Sequence, residues 1–118
     1  MRAKLHEAAE LYAAEDSGEI VGLLEVQLVP PSPVGSMVRP VSAASVGLAV
    51  REDRRGEGVG TALMRFAEQW AAEHGASSMI LDMASANGGA LRFYERLGYE
   101  TYGLMLRKPL EANRPDRE

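Results

Sequence analysis

The sequence predicts an α+β sandwich, a sheet with helices on both faces. Strand-like and helix-like segments alternate along one chain of 118 residues, an order that layers helices on a sheet. The apolar period changes from two to about 3.6 near Gly58. Glycine or proline stands at most of the predicted boundaries.

The elements follow in order. Residues 1–10 are short, mixed and helix-prone, and read as a helix remnant. Leu11 to Glu15 is a strand. Asp16-Ser17-Gly18-Glu19 is a hairpin turn, with Gly18 available for positive φ. Ile20 to Val29 alternates with period two. Ile20, Gly22, Leu24, Val26 and Leu28 share one face, and Glu25 and Gln27 lie on the other. Pro30, Pro31 and Pro33 end that strand. Residues 30–43 then read as a flexible loop, suited either to a substrate-side flap or to a plain connection. Ala44 to Val50 is an apolar strand. A helix beginning near Gly58 carries Val59, Ala62, Leu63, Phe66, Ala67, Trp70 and Ala71 on one stripe. His74-Gly75 ends it, with His74 near the last carbonyls. Met79 to Ala84 is a central strand. Gly88 to Leu97 is a helix with Ala90, Leu91, Tyr94 and Leu97 on its apolar stripe, closed by Gly98. Tyr99 to Arg107 is a last strand, and residues 111–118 are a polar tail.

Composition narrows the function. The length suits one domain, residues 1–118, with one ordinary core. There is no cysteine, which excludes disulfides, thiolate nucleophiles and cysteine zinc sites. His6 and His74 fall in different elements, so no metal site is expected. A net charge of −4 disfavours a nucleic-acid partner. It is compatible with a cationic amine substrate. No apolar run approaches a membrane span and no secretory signal opens the chain, so a cytoplasmic location is expected.

The chemistry concentrates at Arg54-Arg55-Gly56-Glu57-Gly58-Val59-Gly60, between an apolar strand and a helix. Three alternating glycines let backbone N–H groups converge on an anion without Cβ obstruction. The first turn of the helix adds unpaired N–H groups and its dipole. Arg54 and Arg55 supply charge and forked donors. A plain turn and helix cap is the other reading of the same glycines. No lysine follows them, which excludes a P-loop, and neither frame fits Gly-x-Gly-x-x-Gly.

Arg55 to Gly60 reads Arg-x-x-Gly-x-Gly, and Asn87 to Tyr99 reads Asn-x-x-Ala-x-x-Phe-Tyr-x-x-x-Gly-Tyr. In this order and separation they resemble the two signatures of the GNAT superfamily of acyl-CoA-dependent N-acetyltransferases. The resemblance covers Glu10 to about Leu110. It implies a mixed, mostly antiparallel twisted sheet in which two neighbouring parallel strands, here Ala44 to Val50 and Met79 to Ala84, splay into a V. It also implies acetyl-CoA as cofactor and an acetyltransferase acting on a primary amine of a small molecule or peptide.

The site residues then take roles. The amides of Arg55, Gly56, Glu57, Gly58, Val59, Gly60 and Thr61 would cradle the pyrophosphate. The backbone of Leu48, Ala49 and Val50 would pair with the pantetheine arm, and an amide there could bind the carbonyl oxygen. Asn87 stands where superfamily members bond the cofactor's amide portion, and it also suits a helix N-cap. Tyr94 matches the tyrosine that lies near the cofactor sulfur and protonates the thiolate, and it is also a cofactor contact. Phe93 beside it reads as a core aromatic. Many relatives place a glutamate base where this chain has Gly47. Asp82 is the best substitute and Glu25 the runner-up, with a water chain also open.

A second departure is at the start. The usual first strand and two helices do not fit into residues 1–10, so the fold reads as N-terminally shortened. An open sheet edge there would need cover, from which a homodimer is expected. The alternative function is a non-catalytic acyl-CoA-binding or regulatory module of the same fold.

Overall fold

A computed structural model of the chain describes residues 2–6, 9–29, 43–82, 88–103 and 106–111. Five strands form one sheet in chain order: β1 (Arg2–His6), β2 (Ala9–Asp16), β3 (Glu19–Val29), β4 (Ala43–Val50) and β5 (Ser78–Ile80). The first four pair antiparallel and β5 pairs parallel to β4. The sheet is therefore mixed and mostly antiparallel. Two helices complete the described fold, α1 (Val59–Glu73) and α2 (Gly88–Arg96). No described helix is long and apolar enough to cross a membrane.

The hairpin turn forms as its residues require. Ser17 and Gly18 both take positive φ, 54° and 82°, which matches the twist of the flanking strands. A register shift at Ala14/Glu15 breaks the alternation predicted for β3. Val21 is consequently buried along with Gly22, Leu24 and Val26, while Ile20 and Leu28 are exposed.

α1 packs across β3, β4 and β5. Leu24, Val26, Leu63 and Met64 are the largest fully buried side chains and form the centre of the core. The predicted stripe is displaced by part of a turn: Met64 is buried and Ala62 is exposed. Residues 60, 64, 67 and 71 recur at helical spacing, so burial is centred nearer Met64 than the apolar pattern alone suggests. Close approach of α1 requires Gly22. A Cβ there would lie 2.9 Å from Leu63 Cδ1 and 3.0 Å from Val59 Cγ1. Leu63 is fully buried, so Gly22→Val is expected to lower stability by about 1–3 kcal/mol. Urea unfolding checks this, and an unchanged midpoint would show that α1 sits further out.

Three expectations are corrected. Residues 2–6 are a strand, not a helix remnant, because they pair in register with β2 from Arg2↔Ala13 to His6↔Ala9. That pairing satisfies the ladder on β2 and moves the outer edge of the described sheet to β1. β5 is not central among the described strands: it lies at the end of the order and stops at Ile80. The predicted strand Tyr99 to Arg107 is also absent among the described residues, where 99–103 and 106–107 have no strand pairing. The loop 30–42 and the tail beyond 111 lie outside the described residues.

Candidate active site

The site is assembled where β4 runs out and α1 begins. β4 and β5 pair only at Ala43↔Ser78, Ala44↔Met79 and Ser45↔Ile80. From Val46 to Val50 the β5-facing edge of β4 has no strand partner among the described residues. The other edge is fully engaged by β3, from Gly22↔Val50 to Val29↔Ala43. The unpaired stretch of this edge therefore begins after Ser45, on the side of Leu48, Ala49 and Val50, and β5 ends at Ile80 without a described strand to form the second arm of the predicted V. A free strand edge offers alternating N–H and C=O groups to an extended ligand.

After Val50 the chain makes a 3-10 turn at Glu52–Arg54 and enters the glycine loop. The amide of Arg51 donates to the Val21 carbonyl at 2.9 Å, anchoring the start of this connection to β3. Gly56 and Gly58 take φ of 82° and 87°, a conformation that disfavours any L side chain. A Cβ at either would meet nothing within 4 Å. Packing thus does not demand these glycines; the backbone turn does, and the space above them is open. Gly58 caps α1 without a side-chain hydrogen bond. The first intrahelical bond closes at Ala62 N to Gly58 O, 3.0 Å, so the amides of Val59, Gly60 and Thr61 lack intrahelical acceptors. Such a helix start binds anions.

Two details differ from the sequence reading. Gly60 does not serve the cradle through its flexibility. A Cβ there would lie 3.2 Å from Phe93 Cζ, so Gly60 lets α2 pack against the first turn of α1. Phe93 is the anchor of that contact, as its reading as a core aromatic implied. The arginines also divide. Arg54 is consumed internally, with Nη2 at 2.7 Å from Asp16 Oδ2 and Nε at 2.7 Å from Glu57 Oε1. Glu57 and then Asp16 hold its guanidinium above its ordinary pKa. Arg51 is similarly tied to Asp53 at 2.7 Å and Glu19 at 3.4 Å. Asp53 in turn is held below its usual carboxylate range by Arg51. These pairs staple the loop to the β2–β3 hairpin. Arg55 is exposed, and among the described residues its side chain bonds only weakly back to the Val50 carbonyl, 3.5 Å, which leaves its guanidinium available to a ligand.

On the sheet face away from α1, Leu23, Glu25, Gly47 and Ala49 are all exposed. Glu25 pairs directly across from Gly47. Its Oε1 lies 3.8 Å from the position a Cβ at Gly47 would take. A carboxylate from the neighbouring strand therefore fills the place that Gly47 leaves vacant. Sequence reading ranked Glu25 second because strand pairing was not visible in it. Asp82 is exposed and follows the end of β5 by two residues.

Tyr94 is half-buried on α2. It makes edge contacts with Phe93 and Tyr99, ring centroids 5.0 and 5.9 Å apart. Burial raises its pKa above 10.0, because desolvation disfavours the phenolate. Tyr99 donates to Glu68 Oε2 at 2.6 Å, tying the end of α2 to α1, and burial raises its pKa as well. Asn87 lies outside the described residues. No group of three or more metal-ligating side chains occurs among the described residues.

The profile of the Acetyltransferase (GNAT) family matches residues 2–99. Mouse N-acetyltransferase 8B is 28% identical over 92 residues, covering 78% of this chain and 38% of that protein. A solved protein of Pyrococcus furiosus, provisionally assigned as an acetyl transferase, superposes with a TM-score of 0.75 at 30% identity. The match covers 86% of this chain and 66% of that one. The aminoglycoside acetyltransferase HMB0005, from an uncultured soil metagenomic sample, superposes with a TM-score of 0.73 at 25% identity, covering 90% and 68%. The chain thus spans about two fifths of the length of the first curated relatives it matches, 38% and 40%. With the family profile spanning nearly all described strands and helices, and the fold shared with solved acetyltransferases, the chain belongs to the GNAT acetyltransferase family.

Proposed function

We propose that this chain moves the acetyl group of acetyl-CoA directly to a primary amine of a small molecule or peptide. One observation carries the reading: the unpaired β4 edge from Val46 to Val50 leads straight into a left-handed glycine loop at a helix N-terminus. An extended arm ending in a pyrophosphate matches both parts. The strand edge takes the arm, and the amides of Gly56 to Thr61 with the exposed Arg55 guanidinium take the phosphates, the Arg55 amide being bonded to the Glu52 carbonyl at 3.4 Å. The names of two relatives, an N-acetyltransferase and an aminoglycoside acetyltransferase, favour an amine acceptor.

The reaction then has a simple balance. The amine nitrogen attacks the thioester carbonyl, a C–N bond forms and the C–S bond breaks. The amine loses a proton to a base, and the thiolate gains one. Without cysteine no acyl-thioenzyme can intervene. We assign the base to Glu25, which lies on β3 directly across from Gly47, on the open face of the sheet, in place of Asp82. Tyr94 serves the thiolate. Its phenol keeps its proton at neutral pH, and donates a hydrogen bond as negative charge grows on sulfur.

The test is a pair of variants assayed for acetyl transfer to a panel of amines. Glu25→Gln should lower kcat about 10²-fold, within the range that general base catalysis supplies. Asp82→Asn should stay near the parent rate. The reverse pattern would return the base to Asp82, and two unchanged rates would leave deprotonation to water.

A further inference from the structure

We propose that the acetyl acceptor is a monoamine with an apolar body, its nitrogen held at Glu25 and its hydrocarbon chain lying on Leu23 and Ala49. This rests on the acetyl-transfer reading above and names the acceptor class for it.

The acceptor has one open direction of approach. Along β3 and β4 successive side chains alternate between the two faces of the sheet. Leu24, Val26 and Val46 are buried in one core with Leu63 and Met64 of α1, which closes that face. Leu23 stands opposite Ala49, Glu25 opposite Gly47 and Gln27 opposite Ser45, all on the other face. No β4 residue there is larger than serine, and Gly47 and Ala49 are exposed. An amine can therefore cross β4 over Gly47 to a thioester on the unpaired edge between Val46 and Val50. The Glu25 carboxylate reaches the same point, with Oε1 3.8 Å from where a Gly47 Cβ would stand.

The composition of this face sets the acceptor's chemistry. The solvated face of an antiparallel sheet is ordinarily polar. Here Leu23 is 51% exposed, with Ala13 and Ala49 across from it on either side. In the next row Leu11 and Gly47 flank Glu25, and in the row after that Ala9 and Ser45 flank Gln27. Glu25 is the only charged residue in these three rows. Lys4 continues the Glu25 row into β1, so the row offers no second carboxylate. One carboxylate compensates one ammonium. A second cation about 7 Å away, the spacing of two residues along a strand, would lie on Leu23 and lose hydration without gaining a partner. A hydrocarbon end at the same place buries apolar surface instead.

Hexylamine and 1,5-diaminopentane have equal chain lengths and differ in whether the far end is a methyl or an ammonium group. Their acetylation by acetyl-CoA is compared in the parent chain, Leu23→Asp and Leu23→Ala. The parent is expected to favour hexylamine at least tenfold in kcat/KM. Leu23→Asp should bring the two amines to parity or reverse their order, through KM. Leu23→Ala only shortens an exposed side chain. It should raise KM for hexylamine, and it guards against a folding defect in the charged variant. Parity or a diamine preference in the parent would overturn the assignment while leaving acetyl transfer in place. So would a hexylamine preference that neither variant moves, or transfer to other amines but to neither of these. A parent dimer that Leu23→Asp dissociates, read by sedimentation, would give the face to a second copy and overturn it as well. Transfer to no amine at all would overturn the acetyl-transfer reading, and this assignment with it.

Discussion

Tyr94→Phe is expected to lower acetyl transfer about 10²-fold in kcat, the lower end of what a positioned acid contributes, while acetyl-CoA affinity stays within about twofold. The substitution removes one hydroxyl from a half-buried ring whose packing against Phe93 and Tyr99 the phenylalanine retains. What is lost is a donor held protonated by burial. A thiol of ordinary pKa near 8.5 is a stronger acid than such a phenol. Full proton transfer from Tyr94 is therefore uphill in water, and its value lies in hydrogen bonding to sulfur while charge develops in a water-poor site. The expected signature is thus a kcat effect that shrinks when the leaving thiol is made more acidic. Equal rates for the variant and the parent would remove Tyr94 from the mechanism.

Gly58→Val is expected to abolish measurable acetyl-CoA binding in a protein that still folds. Two effects combine. A β-branched residue at φ of 87° costs about 1–2 kcal/mol of stability. The added side chain also enters the open space above the loop, where the structure offers it no neighbour within 4 Å and where the phosphates would sit. Gly75→Val separates the two. Gly75 has φ of 86° and an equally open Cβ position, at the far end of α1. It should show a similar stability loss with unchanged affinity. Equal affinity losses in both variants would mean that strain, not the cradle, is responsible.

Much of this arrangement is legible in the sequence. The left-handed turns at Gly18, Gly58, Gly75 and Gly98 follow from where glycine interrupts an apolar period, because few other residues tolerate that backbone. The helices α1 and α2 follow from their periodicity. What escaped the sequence depends on partners distant in the chain. Residues 2–6 carry weak intrinsic preference, and the ladder offered by β2 decides their state. The 99–107 segment has apolar alternation but no strand pairing in its described parts. Gly60 reads as part of a phosphate motif, yet its missing Cβ matters to Phe93, thirty-three residues away. Arg54 reads as a phosphate ligand until Asp16 is brought beside it by the β2–β3 hairpin. Glu25 gains its place only through the register that sets it opposite Gly47.

The stapling of the loop also bears on affinity. With Arg51 and Arg54 neutralised by their own carboxylates, the proposed anion recognition would rest on backbone amides and on Arg55. These groups are preorganised, since the loop is fixed at Val21 by a main-chain bond and at Asp16 and Glu19 by ion pairs. Exposed pairs contribute little to global stability. The Arg54 pair also keeps Glu57, an acidic residue within the proposed anion-binding loop, electrically compensated.

The central claim is that the glycine loop and the free β4 edge together hold acetyl-CoA. Calorimetric titration of the purified chain with acetyl-CoA, against NAD and ATP, tests it most directly. Selective binding of acetyl-CoA in the micromolar range, about −8 kcal/mol, is the predicted result. No heat with acetyl-CoA, or equal affinity for all three ligands, would contradict the account.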